Sequence, residues 1–167
     1  MTTKVVAVDG HGGSGKSTFA PRLATLLDDA EIVHTDDFAS WENPIDWWPE
    51  LIRQVLLPLS RNEPIQPFQR SHWSPDQQPE QVHVRPTEFL VLEGVTASRT
   101  AFRPYLTYAI WIETPSEICL ERGLARDGED ARAQWEAWIA GEERYRARER
   151  PDTRADCVVR GDRDDWS

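Results

Sequence analysis

The feature that most constrains this chain is the run Gly10-His11-Gly12-Gly13-Ser14-Gly15-Lys16-Ser17, which fits the pattern GxxxxGK[ST] and continues into Thr18. The apolar stretch Val5-Val6-Ala7-Val8 and then Asp9 precede it directly. Residues Thr18 to Leu27, with apolar side chains at helical spacing, follow it. Strand, glycine-rich turn and helix in that order are the context that makes the pattern a phosphate-binding loop. Its four glycines let the backbone bring N–H groups close around an anion, and the helix that follows points its positive end at the same place. In such a loop Lys16 reaches the β- and γ-phosphates of a nucleotide and the Ser17 hydroxyl is a ligand for magnesium. A glycine-rich β-turn with a surface lysine is the simpler alternative, and it leaves the agreement of both flanking elements unexplained.

With 167 residues the chain suits a single domain over 1–167 with one core. A formal net charge of −10 disfavours nucleic acid and anionic membranes as partners, because both repel an acidic surface. An anionic nucleotide must then be held by local donors against the overall field. Only two lysines are present, Lys4 and Lys16, and one of them sits in the loop. Cys119 and Cys157 form neither a disulfide framework nor a metal pattern and read as reduced core residues of a cytosolic protein. No secretion signal is recognisable, and no apolar run approaches the roughly 18 residues needed to span a bilayer. The expected location is the cytoplasm, and oligomeric state is left open.

Downstream, Glu31-Ile32-Val33-His34 reads as a short second strand followed by Thr35-Asp36-Asp37-Phe38. Acids at the carboxyl end of a strand in an open α/β sheet point into the ligand crevice, although Asp-Asp is equally ordinary in a turn. Trp41 to Trp48 holds three of the eight tryptophans. Pro49 then suits the start of a helix to about Ser60, with Leu51, Ile52, Val55, Leu56 and Leu59 on one face. Arg61 to Pro86 shows no sustained period beyond a short candidate strand at Val82-His83-Val84. Such a stretch suits a functional loop, where His72 and Trp73 either meet a substrate ring or plug the loop onto the core.

Phe89-Leu90-Val91-Leu92-Glu93-Gly94 has the continuous apolar character of a strand buried on both faces. Its terminal Glu93 would lie beside the phosphate loop, where it can hold a magnesium-bound water. Thr107 to Ile112 reads as the next strand, and Thr114-Pro115-Ser116-Glu117 as a capping box opening a helix that stops near Gly128. Arg122 and Arg126 fall four apart on that helix. Asp130 to about Arg148 is helical again, with a core stripe of Trp135, Trp138 and Ile139. Asp156 to Val159 suits a last strand. Alternating signals of this kind imply a doubly wound parallel sheet of five strands with helices on both faces.

Four places resemble the uridine kinase-like branch of the P-loop kinases: the loop itself, Thr35-Asp36-Asp37-Phe38, Leu92-Glu93-Gly94, and Arg122 with Arg126-Asp127. The resemblance implies a P-loop NTPase fold with a small helical lid at about 122–132 and a substrate-binding insertion at about 39–88. It implies ATP and Mg2+ as cofactors, with Gly10 to Thr18 binding the nucleotide. Asp36 is then the catalytic base, Lys16, Arg122 and Arg126 handle the phosphates, and Ser17 and, through water, Glu93 serve the metal. Acceptor contacts fall on Asp36, Phe38, Trp41, Asp46, His72, Trp73 and Glu93, with Asp46 resembling the acid that holds sugar hydroxyls in nucleoside kinases. The segment from Gln66 to Pro79 does not match the family's base-contacting residues. A small-molecule acceptor is therefore expected, nucleoside-like in the first instance, with a sugar, vitamin precursor or antibiotic alcohol as the alternative. A non-catalytic nucleotide switch is the reading from another class. For the two arginines, surface pairing with Glu121, Asp127, Glu129 and Asp130 is the simpler alternative.

Overall fold

The computed structural model describes residues 2–40, 43, 46–73 and 76–163. In chain order its elements are β1 (Lys4–Gly10), α1 (Lys16–Leu26), β2 (Glu31–His34), α2 (Trp48–Leu51), α3 (Leu57–Ser60), β3 (Phe68–Gln69), β4 (Gln81–Val82), β5 (Phe89–Glu93), β6 (Tyr108–Glu113), α4 (Ser116–Asp127), α5 (Arg132–Glu149), α6 (Pro151–Arg154) and β7 (Cys157–Arg160). Five strands form one parallel sheet in the order β2-β5-β1-β6-β7. A separate antiparallel pair joins β3 to β4.

The apolar runs of β1, β5 and β6 are continuous because both faces of the sheet are covered. In β1, Val5 and Ala7 pack into a core shared with Leu51, Val55, Leu56 and Phe102, while Val6 and Val8 face Ala20 and Ala24 of α1. Leu90 and Leu92 of β5 side with the first core and Val91 with the second. The period-2 alternation of strand side chains thus sorts one hydrophobic run into two layers. β5 and β6 flank β1 on opposite sides, so the order of strand addition reverses at β1 and a crevice opens at its carboxyl end.

Local departures from the sequence expectations have identifiable causes. The helix beginning beside Pro49 reaches Ser60, but its middle, Ile52–Leu56, widens into a π turn. Pro58 lies just beyond, after Leu57; its missing N–H and its ring disfavour a regular helix interior, and a widened turn accommodates both. The capping box at Thr114 does not form: no side chain caps α4, and the Thr114 hydroxyl instead donates to the Ser14 carbonyl at 2.8 Å. A tertiary bond to the phosphate loop has taken the group the local motif would use. The candidate strand at Val82-His83-Val84 is the short β4, Gln81–Val82, and Pro151 opens the short α6. Among the described residues no helix is long and apolar enough to cross a membrane.

Candidate active site

The loop between β1 and α1 curls at the sheet's switch point. At Gly13 (φ 76°) an added Cβ would lie 2.6 Å from the Cys119 carbonyl, so glycine is needed there both for its conformation and for the close approach of α4. The Ser14 amide donates to the His11 carbonyl at 3.0 Å, and the Lys16 Nζ donates to the same oxygen at 2.7 Å. Lys16 is buried, and the Ser14 hydroxyl is buried with no partner among the described residues. A cavity of about 310 Å3 opens between Gly13, Gly15, Ser17 and Thr18 on one side and Arg122, Arg126 and Gly161 on the other. First-turn amides of a helix have no partners within it, so the start of α1 presents donors to this space. The buried lysine, donor-rich rim and glycine cradle fit a polyphosphate. Another cavity, about 200 Å3 between Leu59, Ile65, Pro86 and Leu90, lies at the amino ends of the strands and is not reached by the loop.

Across the crevice, β2 and β5 run in register so that His34 lies opposite Glu93, and their side chains meet at 2.6 Å between Nδ1 and Oε2. Asp36 follows in a short 3-10 turn, Thr35–Asp37, with its side chain at the surface of the crevice. Its carboxyl pKa is raised, first by the surrounding protein and then by the charge of Glu93, against the opposing charges of Lys16, His34 and Arg126. Glu93, Lys16, His34 and Arg126 thus all act on Asp36. Asp37 is buried and ion-paired with Arg70 at 2.7 Å, while the Ser71 amide donates to the Asp37 carbonyl and the Trp73 indole N–H to the Asp36 carbonyl.

The irregular segment is therefore fastened onto the turn that carries Asp36. Trp73 also packs on the core, and Phe38 lies 4.9 Å from Phe68 between ring centroids. Nδ1 of His72 is buried without a partner among the described residues. Asp46 is exposed just before α2, and its amide donates to Asn43 Oδ1. Trp47 is buried and Trp48 half-buried, both near the guanidinium of Arg99, so these two rings serve the core. Trp41 lies outside the described residues.

On α4 Arg122 donates to the Gly13 carbonyl at 3.2 Å. Arg126 lines the cavity but is paired with Asp127 at 2.9 Å and lies 5.4 Å above the Trp135 ring. One arginine thus touches the loop, and the other makes one of the surface pairs the sequence allowed.

Several residues of the site were not singled out from sequence. Asp9, fully buried, accepts from the Gly10 and Thr96 amides on Oδ1 and from the Ser98 amide, the Ser98 hydroxyl and the Tyr145 hydroxyl on Oδ2. It ties the root of the loop to the segment after β5 and to α5. A lone acid inside an apolar strand was the available signal, since such a group needs buried donors. Glu142 on α5 and Gly161 after β7, where a Cβ would lie 2.0 Å from the Ser14 carbonyl, had no sequence signal at all. Among the described residues no cluster of His, Cys, Asp and Glu could hold a metal by itself. Magnesium fits this site as an ion arriving on phosphates, with Ser17 at the cavity wall.

No family model matches the chain. Curated relatives include a uridine kinase of Klebsiella pneumoniae subsp. pneumoniae, 26% identical over 144 residues, covering 74% of this chain and 68% of the relative. A uridine kinase of Mannheimia succiniciproducens is 26% identical over 168 residues, covering 88% and 76% respectively. Among solved structures, a possible uridine kinase from Bacillus stearothermophilus superposes with a TM-score of 0.68 at 19% identity, over 95% of this chain and 89% of that one. Shikimate kinase from Bacteroides thetaiotaomicron gives 0.55 at 14% identity, over 98% and 90%. The chain has the P-loop kinase fold, and its sequence resembles uridine kinases.

Proposed function

We propose that this protein is an ATP-dependent phosphotransferase that moves the γ-phosphate to a hydroxyl of a small, nucleoside-like molecule, acting in the cytoplasm. The observation that carries the reading is Asp36 lying within the fields of Lys16, of Glu93 and of Arg126, the last of which lines the loop cavity. Phosphoryl transfer asks a protein mainly for positioning and charge stabilisation. Loop amides and Lys16 hold the tail of the nucleotide. Bound magnesium, with Ser17 as ligand and Glu93 acting through water, supplies neutralising charge. Asp36 accepts the proton of the acceptor hydroxyl; its raised pKa makes it a better base than an ordinary carboxylate. Arg122 and Arg126, on a lid at about 122–132, neutralise charge on the phosphoryl group in flight, Arg126 by leaving Asp127. Closure excludes water as a competing acceptor. The insertion at about 39–88 contributes Phe38's neighbours, Asp46, His72 and Trp73 to the acceptor side.

Burial of Trp47 and the packing of Trp48 reduce the number of rings free to stack on a base, which supports a non-nucleoside alcohol as the second reading. The deciding experiment incubates the protein with Mg-ATP and a panel of nucleosides, sugars and cofactor precursors, and looks by mass spectrometry for a gain of one phosphate. A phosphorylated nucleoside is the expected product. A phosphorylated non-nucleoside moves the acceptor class, and no product across the panel with a nucleotide-dependent protein partner favours a switch.

A further inference from the structure

One face of α5 lies along the phosphate loop. Trp135 rests on Gly12, where an added Cβ would come within 3.1 Å of its ring. Two turns later the Glu142 carboxylate accepts the Gly12 amide, at 3.2 Å on Oε1 and 3.1 Å on Oε2. Glu142 is only 13% exposed and also meets His11 Nδ1 at 3.3 Å, while Glu143 takes the other ring nitrogen of His11 at 2.9 Å. Lys16 identifies which end of the loop this is. The ammonium that reaches β- and γ-phosphates is bonded to the His11 carbonyl, so the His11–Gly12 limb is the γ-phosphate end.

An amide at that end is therefore already occupied by one of the protein's own carboxylates. The neighbouring cations do not cancel it outright: His11 is shared with Glu143, and Arg122 is turned to the Gly13 carbonyl.

We propose that Glu142 sets the balance between triphosphate and diphosphate affinity at the donor site, its charge opposing the terminal phosphate of ATP and barely affecting the shorter tail of ADP. The inference rests on the donor-site reading above and adds a residue to it. A triphosphate must displace Glu142 from Gly12 or bind against its charge.

The test is calorimetric titration of the full chain with Mg-ADP and with the magnesium complex of a non-hydrolysable β,γ-imido triphosphate, for the wild type, Glu142→Gln and Glu143→Gln. Glutamine keeps an oxygen for the Gly12 amide and removes the carboxylate charge that faces both Gly12 and His11. Glu142→Gln is expected to tighten triphosphate binding about tenfold, the scale of one like charge removed a few ångströms away in a solvent-influenced site, with ADP affinity little changed. Glu143→Gln should leave the ratio near that of the wild type. An unchanged ratio in Glu142→Gln, equal changes for both nucleotides, or the same shift in Glu143→Gln would overturn the role of Glu142 while leaving the donor site intact. A wild-type protein that binds neither nucleotide would overturn the donor site itself, and this proposal with it.

Discussion

Replacing Tyr145 by phenylalanine removes one hydroxyl from the interior and leaves the ring, which is only 6% exposed, in place. That hydroxyl donates to Asp9 Oδ2 at 2.7 Å. Burial and then the Asp9 charge push the phenol pKa up, so it remains a donor throughout the working range. A hydrogen bond to a charged group contributes about 1.5–3 kcal/mol. Asp9 keeps its bonds from Gly10, Thr96 and Ser98, so the carboxylate is not orphaned and the lower figure applies. A loss of about 1.5 kcal/mol corresponds to a melting temperature lower by about 3–6 °C for a domain of this size.

The pH dependence is diagnostic. Burial holds the Asp9 pKa above its ordinary value despite the donors that lower it. A carboxyl with a raised folded pKa favours the folded state below its unfolded pKa, and that advantage is lost as pH rises through the folded value. Removing a donor raises the folded pKa further, so the deficit of Tyr145→Phe should grow from acidic toward neutral pH. Urea denaturation across a buffer series measures it, with Ser98→Ala and the double variant to extract the coupling. A deficit below about 0.5 kcal/mol, or one that is flat or shrinking as pH rises, would refute the account of Asp9 as the carboxylate on which three segments converge.

Other substitutions test other parts of the structure. Asp36→Asn should lower kcat by about 10²–10⁴, the usual span for a general base, with nucleotide affinity retained by calorimetry. In the wild type the acid limb of kcat should lie above the ordinary aspartate range, since the base must lose its proton and its pKa is raised. Lys16→Ala should weaken nucleotide binding as well as turnover. Gly123→Ala brings a Cβ within 2.4 Å of Trp135 and should cost about 1–3 kcal/mol by overpacking, read by denaturant titration of tryptophan fluorescence. Arg70→Met strips the partner from buried Asp37; because Arg70 is 34% exposed, solvent moderates the loss to about 1–2 kcal/mol. Burial raises the Asp37 pKa and Arg70 lowers it, so that deficit should shrink as pH falls.

The order of strands and helices was legible because the apolar runs of β1, β5 and β6 are long enough to be buried on both faces, and the loop announced which strand was first. The acids at Asp36 and Glu93 were legible as strand-end residues, a consequence of where parallel sheets put their crevices. Thr114 was misread as a cap because a local pattern cannot register that Ser14, far away in sequence, offers its hydroxyl a better-placed acceptor. Glu142 and Tyr145 were invisible for a related reason. On a helix rich in charge, nothing local distinguishes the carboxylate or phenol that turns inward from those that face water, and only the packing of α5 against the loop makes the choice. Trp47 and Trp48, from the tryptophan-rich stretch before the helix, pack into the core, where large apolar area outweighs any role at the crevice.

Gly161 makes the glycine-rich turn depend on a distant part of the chain. The residue pressed against the Ser14 carbonyl follows β7, whereas the loop it touches follows β1. The wall that braces the turn therefore forms only when β7 is laid beside β6, a pairing of long sequence separation that folds late. A variant with β7 removed would hold its cradle open on one side.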